Sequence, residues 1–131
     1  MPKIPPAHAG PKIVVVEDDS DLLHALRFSL ELEGWPVVSY ATAEALLAGE
    51  PLPDTGCLVL DHGLPGTSGL DLLSQLRARG TALPAIIITT NPSAQIRRRA
   101  AERGASIVEK PLLGGTLTEA IREALSVQTQ Y

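Results

Sequence analysis

The chain has 131 residues, a length that suits one domain with a single substantial core. Its formal net charge of −4 disfavours a general nucleic-acid-binding surface, and its only cysteine, Cys57, has no partner for a disulfide within the chain, which favours a reducing compartment. Because it has neither a signal peptide's apolar core nor an apolar run near the roughly 18 residues of a membrane span, we expect a cytoplasmic protein with no membrane partner.

Residues 1–11 include four prolines and no periodic pattern, which predicts a flexible leader. We expect one folded domain over residues 12–126 and a short tail over 127–131. Within the domain, strand-like runs alternate with amphipathic helical segments. In chain order these are KIVVVE, SDLLHALRFSLELEG, WPVVSY, AEALLAG, CLVLD, GLDLLSQLRARG, PAIIITT, SAQIRRRAAERG, ASIVEK and GTLTEAIREALS.

Five strands alternating with five helices predict an α/β fold: a doubly wound five-stranded parallel sheet covered by helices on both faces. In such a sheet, ligands bind beyond the carboxyl ends of the strands, near the point where the strand order reverses. The polar residues that follow the predicted strands are therefore the first candidates for a site.

Those residues are acids, hydroxyls and one amine: Glu17 and Asp18 after the first strand, Asp61 after the third, Thr89 and Thr90 after the fourth and Lys110 after the fifth. Carboxylates about 4 Å apart repel by roughly 4 kcal/mol at an effective dielectric constant near 20, so such a cluster must bind a proton or a cation. Oxygen ligands at an edge open to water suit Mg²⁺. With a lysine and a hydroxyl nearby, the set fits phosphoryl transfer. Asp19 is expected to cap the first helix instead.

Four segments, VVVEDD, LVLDHGLPGTSGL, IIITT and VEKP, resemble in order and spacing the receiver domain of bacterial two-component response regulators. The resemblance covers residues 12–126 and implies a flavodoxin-like topology. It also implies that Asp61 is the phosphoacceptor and that Glu17 and Asp18 are the acidic pair of the metal site. There, Asp18, Asp61 and the backbone carbonyl of Gly63 would hold Mg²⁺.

By the same resemblance, Thr89 and Lys110 would contact the phosphoryl group, and the Lys110–Pro111 peptide would be cis. The donor would be a sensor histidine kinase or a histidine phosphotransfer protein, and the acyl phosphate would later be hydrolysed at Asp61. The resemblance thus implies a phosphorylatable signalling domain rather than an enzyme acting on other substrates. Phosphorylation would alter the face formed by the fourth helix, fifth strand and fifth helix.

Some positions depart from the family pattern. Ile107 stands where an aromatic ring usually moves inward on activation, so we expect the signal to leave through the backbone after Thr89 or through another surface. Leu112 stands where Phe is frequent, which we interpret as a packing substitution. Thr90 is larger than the residue usual at its position and would narrow access to Asp61, whereas Gly63 lacks a side chain that could shield the acyl phosphate. Their effects on the lifetime of the acyl phosphate therefore oppose each other.

Several surfaces could bind partners. On the first helix a predicted sheet-facing stripe contains Leu22, Ala25, Leu26, Ser29 and Leu30. Phe28 and Leu32 fall outside it, and they either pack beneath loops or form a docking or self-association surface. A homodimer could use this surface or the fourth-helix face. That helix contains Arg97, Arg98, Arg99 and Arg103, which indicates a solvated helix or a basic contact for an acidic partner. Because the sequence has no recognisable helix-turn-helix, DNA binding is not expected.

Two other functions compete with phosphoacceptor signalling. A phosphatase of the haloacid dehalogenase type also uses a strand-end Asp. Such enzymes usually have a second Asp where this chain has Gly63, and a cap domain for which this sequence leaves no length. A receiver-shaped interaction module that is never phosphorylated would fit Ile107 but not the complete acid, threonine and lysine set. Because only five residues follow Ser126, we expect a stand-alone regulator acting by protein contact or phosphoryl shuttling, unless the sequence belongs to a longer chain.

Overall fold

All the strands and helices that the hydrophobic pattern predicts are present in the computed structural model, which describes residues 11–49, 51–112 and 114–128. The strands are β1 (Lys12–Val16), β2 (Val37–Tyr40), β3 (Gly56–Asp61), β4 (Ala85–Thr89) and β5 (Ala105–Glu109). The helices are α1 (Ser20–Leu32), α2 (Ala43–Ala48), α3 (Gly69–Ala78), α4 (Ala94–Glu102) and α5 (Thr116–Gln128). The predicted leader up to residue 10 and residues 129–131 of the predicted tail lie outside the described residues.

The five strands form one parallel sheet in the order β2-β1-β3-β4-β5, so the predicted fold class is confirmed. The order reverses between β1 and β3, and the crevice for ligands is expected at their carboxyl ends. Val16 of β1 is in register with Leu60 of β3. The next residues, Glu17 and Asp61, therefore meet at the same level of this crevice.

Helices cover both faces of the sheet, and alternate residues of each buried strand point to opposite faces. Leu58 and Leu60 of β3 pack with residues of α2, α3 and α4. Cys57 and Val59 of the same strand pack with residues of α1 and α5. Fully burying a leucine or valine stabilises a fold by about 1.5–3 kcal/mol, so these two core layers hold the strand ends at the crevice in fixed positions.

Helices α1 to α4 begin after short polar side chains that accept hydrogen bonds from backbone N–H groups of the first turn. Asp19 accepts from the N–H groups of Asp21 and Leu22 at the start of α1, as predicted. The equivalent caps of α2, α3 and α4 are Thr42, Ser68 and Ser93. Such caps typically contribute about 1 kcal/mol each. Within the described ranges, no helix is both long and apolar enough to cross a membrane.

The predicted sheet-facing stripe of α1 is partly wrong. Leu26 and Leu30 are buried, but Ala25 and Ser29 are exposed. Leu23 takes their place and packs against the core beside Leu22. The small side chains Ala25 and Ser29 cost little to leave in water, so helical spacing alone misassigned them. The last helix also differs from its prediction, because it continues through Gln128.

Candidate phosphoacceptor and metal site

Three carboxylates meet in the crevice between β1 and β3. Glu17, Asp18 and Asp61 each present an oxygen within 4.8 Å of the other two. Glu17 and Asp61 are almost completely buried, at 1% and 3% exposure, whereas Asp18 is exposed to solvent. The structure therefore brings together the three acids that the strand ends predicted, two of them on the protein side and one on the solvent side.

The surroundings of Glu17 favour its neutral form. Burial raises the pKa of Glu17 to about 7, and a hydrogen bond and the charge of Asp61 act in the same direction. The Asp19 backbone N–H, which donates to Glu17 Oε2 at 3.1 Å, and the charge of Lys110 oppose this rise. Its other oxygen, Oε1, is buried and accepts no hydrogen bond, although the Lys110 amine lies at ion-pair distance from it. A metal ion would compete with this amine for the oxygen.

Lys110 supplies the positive charge at the site. Its Nζ lies 3.1 Å from Asp61 Oδ1 and 3.7 Å from Glu17 Oε1. Burial disfavours the charged amine, but the hydrogen bond and charge of Asp61, together with Glu17, outweigh it and raise the pKa of Lys110. Its backbone N–H donates to the carbonyl of Thr89 at 2.8 Å, and the Lys110–Pro111 peptide is cis, as the resemblance implied.

Thr89 ends β4 beside the crevice and is buried, with 6% exposure. Its hydroxyl donates to the carbonyl of Thr90 at 3.4 Å, a long hydrogen bond within the loop. Thr90 is exposed. The Thr89 hydroxyl is thus held locally in this structure, and only by a weak bond to the loop.

Two glycines, one in the turn after β3 and one at the start of α3, set how closely the backbone approaches Asp61. The N–H of Gly63 donates to Asp61 Oδ1 at 3.1 Å. A Cβ on Gly63 would lie 3.7 Å from that oxygen, so any side chain here would contact the carboxylate. A Cβ on Gly69 would lie 2.6 Å from the carbonyl oxygen of Asp61, which explains why α3 begins with glycine. The importance of Gly69 was missed, although a glycine opening a predicted helix was a visible signal.

The donor set fits a hard divalent cation. Three carboxylates face one ammonium, which leaves the cluster with excess negative charge when all the acids are ionised. Mg²⁺ typically takes one or two carboxylates and keeps several waters, and Asp18 lies on the solvent side where waters can complete the coordination shell. The buried Oε1 of Glu17, which accepts no hydrogen bond, agrees with the same conclusion.

The other residues singled out in the sequence lie away from the acids. Ile107 is partly buried and packs against the core layer of α2, α3 and α4, and Leu112 is partly buried against the other layer. On α4, Arg97 and Arg98 are exposed, and Arg97 pairs with Glu109 of β5 at 2.7 Å. Arg99 and Arg103 contact α3: Arg99 pairs with Asp71 at 3.0 Å, and Arg103 donates to Ser74 Oγ. These contacts link the C-terminal end of α4 to α3.

Arg77 is a half-buried cation of α3 whose structural role the sequence did not reveal. Arg77 on α3 donates to the carbonyl oxygens of Arg103, Thr81 and Leu83. Burial lowers the pKa of Arg77. These three bonds link α3 to the loop before β4 and to the turn before β5. Nothing in the spacing of Arg77 distinguishes it from neighbouring Arg79, which is exposed.

Known proteins with similar sequences are response regulators. Residues 13–122 match the family model of the response regulator receiver domain. The transcriptional regulatory protein FixJ of Azorhizobium caulinodans is 37% identical over 127 residues, which cover 95% of this chain and 57% of FixJ. The C4-dicarboxylate transport transcriptional regulatory protein DctD of Rhizobium meliloti is 32% identical over 117 residues, covering 88% of this chain and 25% of DctD.

Similar solved structures support the same family. The FixJ-N crystal structure has a TM-score of 0.80 and 31% identity, covering 89% of this chain and 94% of that one. The response regulator StyR has a TM-score of 0.82 and 33% identity, covering 89% of this chain and 60% of StyR. The chain belongs to the response regulator receiver domain family, a signalling domain of two-component systems. It spans little more than half of the FixJ relative and a quarter of DctD.

Proposed function

We propose that Asp61 is the phosphoacceptor and that it takes its phosphoryl group from a phosphohistidine of a sensor histidine kinase or a histidine phosphotransfer protein. The observation that carries this proposal is the position of Asp61: a buried carboxylate at the crevice, 3.1 Å from the Lys110 amine and beside Glu17 and Asp18. A nucleophile in this setting is fixed in place, and the charge around it suits a phosphoryl group.

In the proposed transfer, an oxygen of Asp61 forms a bond to phosphorus while the phosphorus–nitrogen bond to the donor imidazole breaks. The bonding electron pair stays on the imidazole nitrogen. Lys110 moves from its contact with the carboxylate to neutralise a phosphoryl oxygen, and the Thr89 hydroxyl exchanges its weak bond to Thr90 for a second phosphoryl oxygen. Later hydrolysis by water breaks the new phosphorus–oxygen bond and regenerates Asp61.

Glu17, Asp18 and Asp61, with the backbone carbonyl of Gly63, would hold Mg²⁺ at this site. When bound, the ion neutralises charge on the attacking carboxylate and the phosphoryl oxygens. This assignment draws on the oxygens within 4.8 Å of one another and on the buried Oε1 of Glu17, which accepts no hydrogen bond. Glu17 and Asp61 also contact Lys110, so the amine would offset part of the negative charge that attracts the ion.

The phosphorylated state would signal by protein contact or by passing the phosphoryl group on, in the cytoplasm and without DNA contact by this domain. The phosphoryl group adds up to about two negative charges next to Thr89. The backbone N–H of Lys110 donates to the Thr89 carbonyl, so movement of Thr89 reaches the loop between β4 and α4 and the loop between β5 and α5. Because Ile107 cannot provide an aromatic readout, the backbone after Thr89 would carry the change to the α4 and β5 surface.

The amide spectrum of the protein tests this switch. Adding Mg²⁺ and beryllofluoride, a mimic of the phosphoryl group, should shift amide signals of residues 89–110, and Asp61→Asn should abolish the shifts. Shifts confined to the turn after Asp61 would support phosphorylation without this output. An unchanged spectrum for the whole chain would favour the competing interpretation, an interaction module that is not phosphorylated.

A further inference from the structure

Asn91, in the loop between β4 and α4, has an unusual backbone conformation. Its φ of 48° lies in the left-handed region, and among the described residues it is the only one other than glycine with a positive φ. The next residue is Pro92, and a residue before proline normally has an extended backbone with φ of about −120 ± 40°. Asparagine tolerates the left-handed region better than most residues do. The loop nevertheless stores backbone strain at Asn91, and such strain persists only where surrounding contacts hold it.

The peptide unit that joins Thr90 to Asn91 contacts a residue of the candidate site. Its carbonyl, on Thr90, accepts the hydrogen bond from the Thr89 hydroxyl at 3.4 Å. The orientation of this unit is described by φ of Asn91 together with ψ of Thr90, so φ of Asn91 helps to set where the carbonyl points. Both residues are exposed, and within the described part of the chain no other hydrogen bond between protein groups holds this carbonyl or the Asn91 N–H.

The two ends of this loop are held by hydrogen bonds. The Lys110 N–H donates to the Thr89 carbonyl at 2.8 Å, which holds the end of β4 against β5. At the other end Ser93 caps α4 by accepting from the Ile96 N–H at 3.1 Å. A trans peptide unit carries its C=O and N–H on opposite sides, so half a turn of the unit exchanges the two groups. The unit between Thr90 and Asn91 can therefore turn while both ends of the loop stay in place.

We infer that Asn91 is a positioning residue, which controls the Thr89 hydroxyl through two orientations of this peptide unit; the inference rests on the proposed role of Asp61. Half a turn of the unit changes φ of Asn91 from 48° to about −130°, which lies within the extended range that residues before proline prefer. The Thr90 carbonyl then points away from Thr89, and the Asn91 N–H takes its place. The hydroxyl accepts from this N–H, and its own hydrogen is free for a phosphoryl oxygen on Asp61.

Different interactions favour the two orientations. Without a phosphoryl group, the bond from the Thr89 hydroxyl to the Thr90 carbonyl opposes the strain at Asn91, and this bond is long and therefore weak. A phosphoryl oxygen offers the hydroxyl a charged acceptor and a stronger bond, and the turn releases the strain. On the outer side of the loop, a partner would then meet a carbonyl in place of an N–H. This change requires no aromatic side chain at Ile107.

Two substitutions of Asn91 should change the affinity for beryllofluoride, measured with Mg²⁺ by amide chemical-shift titration, in opposite directions. Glycine adopts a positive φ without strain, so Asn91→Gly should favour the observed orientation and weaken binding about threefold or more. Valine strongly disfavours a positive φ, so Asn91→Val should favour the turned orientation and tighten binding by about the same factor. Gly34→Ala is the matched control, because Gly34 has a φ of 95° in the turn between α1 and β2, at the opposite end of the sheet. It adds strain away from the loop and should leave the affinity unchanged.

The Cα and Cβ chemical shifts of Asn91 in the wild-type chain give a direct test, because they differ between left-handed and extended backbone. Adding Mg²⁺ and beryllofluoride should move them to extended values, while the amide signals of the turn after Asp61 report that the mimic has bound. If the turn responds but the Asn91 shifts stay the same, or if the two variants do not change the affinity in opposite directions, the inference is overturned and the role of Asp61 stands. If the turn does not respond, the proposed function and the inference both fail.

Discussion

The Lys110 amine lies 3.1 Å from Asp61 Oδ1, although Asp61 ends β3 and Lys110 follows β5, and these strands are not adjacent in the sheet. The amine also reaches Glu17, so a single cation spans the two buried carboxylates. This contact occupies Asp61 when no phosphoryl group is present. Lys110 and a divalent cation consequently compete for the same negative charge.

The Lys110→Met variant should bind Mg²⁺ about fivefold or more tightly at pH 8, because it removes a positive charge from the edge of the ion's site. Isothermal titration calorimetry measures the change. The control is Lys12→Met at the opposite end of β1, which should leave the affinity unchanged, and Asp18→Asn should weaken it. Weaker binding in Lys110→Met would show that the lysine supports the ion site rather than opposing it.

The Gly69→Ala variant should lose about 1–3 kcal/mol of unfolding free energy, because its Cβ would lie 2.6 Å from the Asp61 carbonyl oxygen and the start of α3 must move. Gly115→Ala is the matched control, since nothing lies within 4 Å of a Cβ there. Urea denaturation compares the two. Equal stabilities would mean that the α3 start can shift at no cost.

The Arg77→Met variant should be destabilised by about 2 kcal/mol or more, because three backbone carbonyls lose a charged donor. Arg79→Met removes a side chain of the same type that is exposed and donates to the Leu47 carbonyl, so it should cost well under about 1 kcal/mol. The melting temperatures of both variants check this. If Arg79→Met proved the more harmful, the structural role assigned to Arg77 would be wrong.

The Cys57 thiol should react very slowly with Ellman's reagent at pH 8. Burial raises the pKa of Cys57 to about 12, so the thiolate that reacts is scarce in the folded protein, and the residue is fully buried in β3. In roughly 6 M guanidinium chloride, above the midpoint at which most domains unfold, the reaction should be fast. Fast reaction of the folded chain would indicate that β3 opens readily.

Strand ends were predictable because their apolar runs stop at polar residues, and parallel strands bring those ends to one edge of the sheet. The pattern alone therefore assigned six side chains to this edge: Glu17, Asp18, Asp61, Thr89, Thr90 and Lys110. The same pattern could not reveal distances. That Lys110 contacts both Asp61 and Glu17, or that the Thr89 hydroxyl is held by Thr90, depends on side-chain conformation.

The sequence predicted least well the contacts between separate helices, strands and loops. Helical spacing placed Ala25 and Ser29 on the buried side of α1, because small residues satisfy a spacing pattern whether they are buried or exposed. Arg77 and Arg79 are indistinguishable in sequence, and only the turn before β5 gives Arg77 its carbonyl partner on Arg103. The roles of residues that contact distant segments can therefore be assigned only once the fold is known.

Phosphorylation of Asp61 is tested most directly by intact mass spectrometry after incubation with acetyl phosphate and Mg²⁺. We expect one phosphoryl adduct on the wild-type chain, none without Mg²⁺ and none in Asp61→Asn. The Asp71→Asn variant, which changes an exposed acid on α3, is the matched control and should still be modified. An adduct of equal yield in Asp61→Asn, or no adduct on the wild-type chain, would contradict the assignment of Asp61 as phosphoacceptor.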